Sequence, residues 1–174
     1  MRDAIMTKRI LVVDDETSIR ESLHKILRAE DYEVVMAENG QAAIERHGAQ
    51  RIDVLVLDLN MPVKNGWATL EWLTQINPLL PIVVITGRSD QSALAHMAGA
   101  DALMEKPLNV PLLLQTIREW MDEPMEHRAE RASKRRTGFR HMPFDDWQLR
   151  EMQLQRPVGH ASIRSLPENR SIAK

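Results

Sequence analysis

Ile10-Leu11-Val12-Val13-Asp14-Asp15 and Ile52-Asp53-Val54-Leu55-Val56-Leu57-Asp58 decide how this chain folds. Each is a short apolar run that ends in acid. Runs of this length, rich in Val, Ile and Leu and without polar alternation, suit strands buried on both faces of a parallel sheet. The acids then fall where the strands run out into loops. In open α/β sheets, ligands bind at that edge. Three carboxylates gathered there repel: two unit charges about 4 Å apart cost roughly 4 kcal/mol at an effective dielectric near 20. A hard divalent cation removes that cost, and Mg²⁺ favours a few carboxylates together with water and phosphate oxygens.

Outward from these runs, apolar segments alternate with amphipathic ones. Thr17–Ala29 places Ile19, Leu23, Ile26 and Leu27 at helical spacing, with Thr17 or Ser18 as its cap. A strand is expected over Tyr32–Ala37, a helix over Gln41–Ala49, and a helix over Trp67–Ile76. Pro81–Thr86 is a β-branched strand, followed by a helix over Ser89–Met97 that Gly99 closes. Asp101–Glu105 is a fifth strand and Asn109–Met121 a fifth helix. Five βα units predict an α/β fold, a doubly wound five-stranded parallel sheet of flavodoxin-like order 2-1-3-4-5 with five helices. That order makes the first and third strands neighbours and brings Asp14, Asp15 and Asp58 together.

After residue 122 the periodicity fails. Residues 1–127 carry 12 Lys and Arg against 20 Asp and Glu, a net −8; residues 128–174 carry 11 against 5, a net +6. The expected division is a domain over 7–122 and a basic, mostly disordered tail over 123–174, with a short helix near 144–155 around Trp147. The absence of Cys excludes disulfides and thiolate metal sites, and the six His show no paired ligand spacing. The start of the chain does not read as a signal peptide, and no run approaches the ~20 apolar residues of a membrane span. The expectation is a cytoplasmic protein without membrane contact.

Asp14-Asp15, Asp58 with Met61-Pro62 and Gly66 behind it, Thr86-Gly87 and Lys106-Pro107 occur in this order, each at the end of a predicted strand. Over about residues 7–122 this resembles the receiver domain of bacterial two-component response regulators (CheY-like). The resemblance implies that Asp58 takes a phosphoryl group from the histidine of a sensor kinase or phosphotransfer protein. It implies Mg²⁺ held by Asp14, Asp15, Asp58 and the backbone carbonyl of Asn60. Lys106 and Thr86 would each meet a phosphoryl oxygen, Pro107 would follow a cis bond that aims Lys106 inward, and Gly87 would keep the approach to Asp58 open. Asn60 and Arg88 would flank the path of hydrolytic water. The family's inward-turning aromatic, three residues before the Lys, is here Leu103, which has no polar tip to exchange between water and core.

The implied activity is a phosphorylation-dependent switch rather than an enzyme, signalling through a downstream protein and admitting a phosphorylation-dependent dimer. A DNA-binding regulator using the basic tail is the alternative. Residues 123–174 show no pair of apolar helices about a Gly turn, which argues against nucleic acid. An aspartyl phosphatase of the haloacid dehalogenase type would need a second Asp two residues beyond the nucleophile, where Asn60 stands.

Overall fold

The computed structural model describes residues 7–61, 66–133 and 138–142. The elements run β1 (Arg9–Val13), α1 (Thr17–Ala29), β2 (Glu33–Ala37), α2 (Gly40–Ala49), β3 (Val54–Asp58), α3 (Gly66–Ile76), β4 (Ile82–Thr86), a 3₁₀ turn (Ser89–Gln91), α4 (Ser92–Met97), β5 (Ala102–Glu105), α5 (Val110–Met121), α6 (Met125–Ser133) and β6 (Arg140–Met142). All strand pairs are parallel, in the order β2-β1-β3-β4-β5-β6. The flavodoxin-like order is as expected.

Strand residues alternate between two apolar layers, as side chains on a pleated strand must. Leu11, Val13, Leu55, Leu57, Val84 and Leu103 face one layer with Leu70 and Leu73 of α3 and Ala95 of α4. Ile10, Val12, Val54, Val56, Val83 and Met104 face the other, with Leu23 and Leu27 of α1 and Leu113 and Ile117 of α5. Both layers are closed to water, which explains why the strands read as unbroken apolar runs.

Caps set the helix starts. Asn39 accepts from Ala42 N–H at 2.9 Å and Asn109 from Leu112 N–H at 3.0 Å. The expected Thr17 or Ser18 cap is corrected: Glu16 is the N-cap of α1 and its side chain makes no capping bond. Asp14 Oδ1 instead accepts from Glu16 N–H at 2.8 Å, a local Asx turn that gives the chain its entry into the helix. Gly99 closes α4 with φ 96°, the left-handed conformation glycine adopts without a Cβ penalty.

Two differences lie beyond residue 122. Among the described residues the sheet has six strands rather than five, and α6 makes a sixth helix. Residues 125–133 and 140–142, expected to lack fixed structure, are therefore ordered, while the helix expected near 144–155 lies outside the described residues. The apolar stripe of α6 is slight, Met125, Ala129 and Ala132, and Met125 and Ala129 are exposed. Its buried Arg128 donates to the carbonyls of Trp120 at 2.8 Å and Glu123 at 3.2 Å, setting a cation on the spare acceptors at the end of α5.

β6 lies along β5 in the register Ala102↔Arg140, Leu103↔His141 and Met104↔Met142. Arg140 pairs with Glu119 of α5 at 2.6 Å, His141 contacts Glu105 at 2.9 Å, and Phe139 stacks on His96 of α4 with ring centroids 4.7 Å apart. Met142 is buried in the α1–α5 layer. Met142→Asp is expected to lower stability by about 1.5–3 kcal/mol, the worth of a buried Met side chain. It should also speed hydrogen exchange at the β6 amides while β1 and β3 keep their protection. An unchanged urea midpoint would contradict the docking of β6.

Candidate functional site

Strand register builds the site. Val13 pairs with Leu57, so Asp14 and Asp58 are the next residues of adjacent strands at the carboxyl edge. Asp58 is level with Ile85, and Thr86 with Glu105, so Thr86 ends β4 just beyond Asp58 and Lys106 follows β5 at once. Lys106 N–H donates to the Thr86 carbonyl at 2.7 Å, extending the ladder by one bond into the loop. The Lys106–Pro107 peptide is cis, as expected.

The Lys106 ammonium sits 2.6 Å from Asp58 Oδ2 and 3.1 Å from Asp14 Oδ2. Both carboxylates are almost closed to water, at 2% exposure for Asp14 and 3% for Asp58. The second oxygen of Asp58 accepts from Asn60 N–H at 2.8 Å. Asp14 is held from its backbone side too, where Arg20 donates to its carbonyl at 2.6 Å. Asp15 is exposed.

Burial pushes the Asp14 carboxyl above its ordinary value, against the lowering effects of the Glu16 N–H bond and of Lys106. Burial opposes the charge on Lys106 as well, but its hydrogen bond to Asp58 and the charges of Asp58 and Asp14 outweigh it, and its pKa is raised. An acid with a raised pKa keeps its charge at a cost to the fold once pH exceeds that value.

Among the described residues, Asp14, Asp15 and Asp58 each offer a carboxylate oxygen, and these atoms lie within 4.8 Å of one another. A hard, all-oxygen donor set without His or Cys fits Mg²⁺.

Thr86 is fully buried, and its hydroxyl is engaged on every side. It accepts from Asn60 Nδ2 at 2.9 Å and from Arg88 N–H at 3.1 Å, and donates to Gln91 Oε1 at 2.5 Å. Sequence reasoning missed the Asn60 side chain and Gln91 altogether. Gln91 sits among polar residues after a Gly, and nothing in its local pattern marks it. Leu103 is buried in the α2–α4 layer as a packing residue. A Cβ at Gly87 would meet nothing within 4 Å, so its backbone does not demand glycine, and the space beside Thr86 is open. Gly66 is different: a Cβ there would lie 2.4 Å from the carbonyl oxygen of Asp58. Pro62 lies outside the described residues.

Residues 10–118 match the family described as response regulator receiver domain. The chain is 40% identical over 115 residues to the response regulator MprA of Mycobacterium ulcerans, covering 65% of this chain and 50% of that protein. It is 35% identical over 111 residues to the response regulator RR06 of Streptococcus pneumoniae, covering 63% and 51%. The chain thus spans about half the length of the curated relatives it matches. Among solved structures, it superposes on the response regulator TrrA of Thermotoga maritima, solved in complex with Mg²⁺ and BeF, with a TM-score of 0.61. The two are 33% identical, with 66% of this chain and 99% of that one covered. A CheY-like receiver protein from Methanospirillum hungatei gives a TM-score of 0.64 at 30% identity, covering 71% and 98%.

Proposed function

The chain belongs to the response regulator receiver family, and on that premise we propose that it takes a phosphoryl group onto Asp58 from a phosphohistidine and signals through changed protein binding. The observation that carries this reading is the convergence of Asp14, Asp58 and the Lys106 ammonium on one strand edge, 2.6 and 3.1 Å from the ammonium to the two acids. An Asp58 carboxylate oxygen forms the new bond to phosphorus as the phosphorus–nitrogen bond of the donor histidine breaks, and the histidine leaves with the electron pair.

Lys106 moves from the carboxylates toward the incoming phosphoryl oxygens and balances part of their charge. Thr86 supplies a hydroxyl to another oxygen. Asp14, Asp15, Asp58 and the Asn60 carbonyl would hold Mg²⁺, which supplies charge neutralisation to the acids and the phosphoryl group. The remaining catalysis is positioning by a rigid strand edge. Gly87 leaves room for the donor, and Arg88 and Asn60 border the path of hydrolytic water.

The partners are a sensor histidine kinase or a histidine phosphotransfer protein on one side and a downstream protein on the other, with a phosphorylation-dependent dimer as one form of output. The phosphoacceptor unit comprises residues 7–122. Among the described residues no helix is long and apolar enough to cross a membrane. The expectation against nucleic acid is not supported. It rested on residues 123–174, of which 125–133 fold as a helix and 143–174 lie outside the described residues.

Incubation with acetyl phosphate and Mg²⁺ should add one phosphoryl group, seen by intact mass and removed by hydroxylamine. EDTA should reduce the labelled fraction to background. Labelling that is indifferent to EDTA, or a phosphoryl group resistant to hydroxylamine, would overturn the reading.

A further inference from the structure

Gln91 is a buried amide, 8% exposed, at the end of the 3₁₀ turn and immediately before α4. The chemistry proposed for Asp58 makes no use of it. Yet its Oε1 accepts the hydrogen bond donated by the Thr86 hydroxyl, at 2.5 Å. A hydroxyl has one proton and two acceptor lone pairs. Asn60 Nδ2 and Arg88 N–H occupy the two lone pairs, so the capacity of Thr86 is full. Gln91 Nε2 in turn donates to Asn60 Oδ1 at 3.4 Å, and Asn60 N–H donates to Asp58 Oδ1 at 2.8 Å. The side chains of Thr86, Gln91 and Asn60 close a ring just before α4, and the Asn60 backbone N–H ties that ring to Asp58.

A phosphoryl oxygen can receive the Thr86 proton only if Gln91 gives it up. We propose that Gln91 is a positioning residue that holds Thr86 in its unphosphorylated orientation. Its release from Thr86 then carries the arrival of a phosphoryl group to the first turn of α4. This rests on the reading of Asp58 and Thr86 given above. The Thr86–Gln91 bond is part of the cost of binding, and removing its acceptor should favour the bound state.

The probe is beryllium fluoride with Mg²⁺, a non-covalent stand-in for the phosphoryl group, titrated calorimetrically into the full chain. Gln91→Met keeps length and apolar packing but removes the strong acceptor. Gln91→Leu is prepared beside it, so that a folding failure in one variant leaves the other. Loss of one neutral hydrogen bond should tighten beryllium fluoride binding about 3- to 10-fold. The same substitution in a Thr86→Ala background should change affinity less than about twofold, because coupling between contacting residues vanishes when one of them is gone.

A merely structural Gln91 would act alike in both backgrounds, and that result would overturn the inference. So would unchanged or weaker binding by the Gln91 variants with Thr86 present. If the wild-type chain binds no beryllium fluoride at all, the phosphoacceptor reading falls first and this inference with it.

Discussion

Asp58→Asn is expected to abolish phosphoryl uptake while the chain still folds cooperatively. The substitution changes few atoms. One acceptor oxygen remains for Asn60 N–H, which now bonds Asp58 Oδ1 at 2.8 Å, and Lys106 keeps its contact with Asp14 at 3.1 Å. One negative charge leaves a set of three acids, which lowers their mutual repulsion and offsets part of the lost ion pair with Lys106. An amide, however, offers no anionic oxygen to phosphorus, so labelling by acetyl phosphate and Mg²⁺ should fall to background. Intact mass reads the label, and far-UV circular dichroism with a urea titration reads the fold. Undiminished label, or a label found on Asp14 in the wild-type chain, would refute the assignment. Lost label with lost cooperativity would instead make Asp58 a structural residue.

The parts of this molecule that were legible in the sequence are those in which local pattern and tertiary position agree. α1 spans Thr17–Ala29 because its apolar spacing has one period and one face to bury. Asp14 and Asp58 could be placed together because both apolar runs end in acid, and the observed register Val13↔Leu57 makes those acids neighbours. Three kinds of feature stayed hidden. β6 is only three residues, Arg140–Met142, and owes its place to partners far off in sequence: Glu119, Glu105 and His96. α6 is held by a side chain, Arg128, on the end of α5, and its only stripe is the short one of Met125, Ala129 and Ala132 amid charged residues. Gln91 acts through a hydroxyl five residues back, across a Gly and a turn, so its meaning is geometric. The gathering of Asp14, Asp15 and Asp58 was readable because the apolar runs end in acid, whereas the role of each residue was implied by the resemblance. The network behind the site was not readable, because hydrogen-bond capacity becomes visible only when the atoms are placed.

Gly66→Ala is the other substitution expected to have a large effect, and for a reason of space. A Cβ at this first residue of α3 would stand 2.4 Å from the Asp58 carbonyl oxygen, 2.6 Å from Leu59 Cα and 2.9 Å from the Leu59 carbonyl oxygen. Every obstacle is backbone, so no side chain can turn aside. Either α3 withdraws or the exit of β3 moves, and that exit carries Asp58. Such forced shifts typically cost about 1–3 kcal/mol. Two effects oppose the loss: Ala has the higher helix propensity and restricts the unfolded chain, together about 1 kcal/mol. A net loss of up to about 2 kcal/mol in urea unfolding should remain, with weaker Mg²⁺ binding because the Asp58 carboxylate is displaced. Gly48→Ala is the control of opposite sign. It sits in α2, is exposed, and a Cβ there meets nothing within 4 Å. Only the propensity gain applies, so stability should rise by about 0.5–1 kcal/mol. If both alanines stabilise the chain alike, the close approach of α3 to the end of β3 is not present in solution, and the placement of Asp58 against Lys106 loses its support from below.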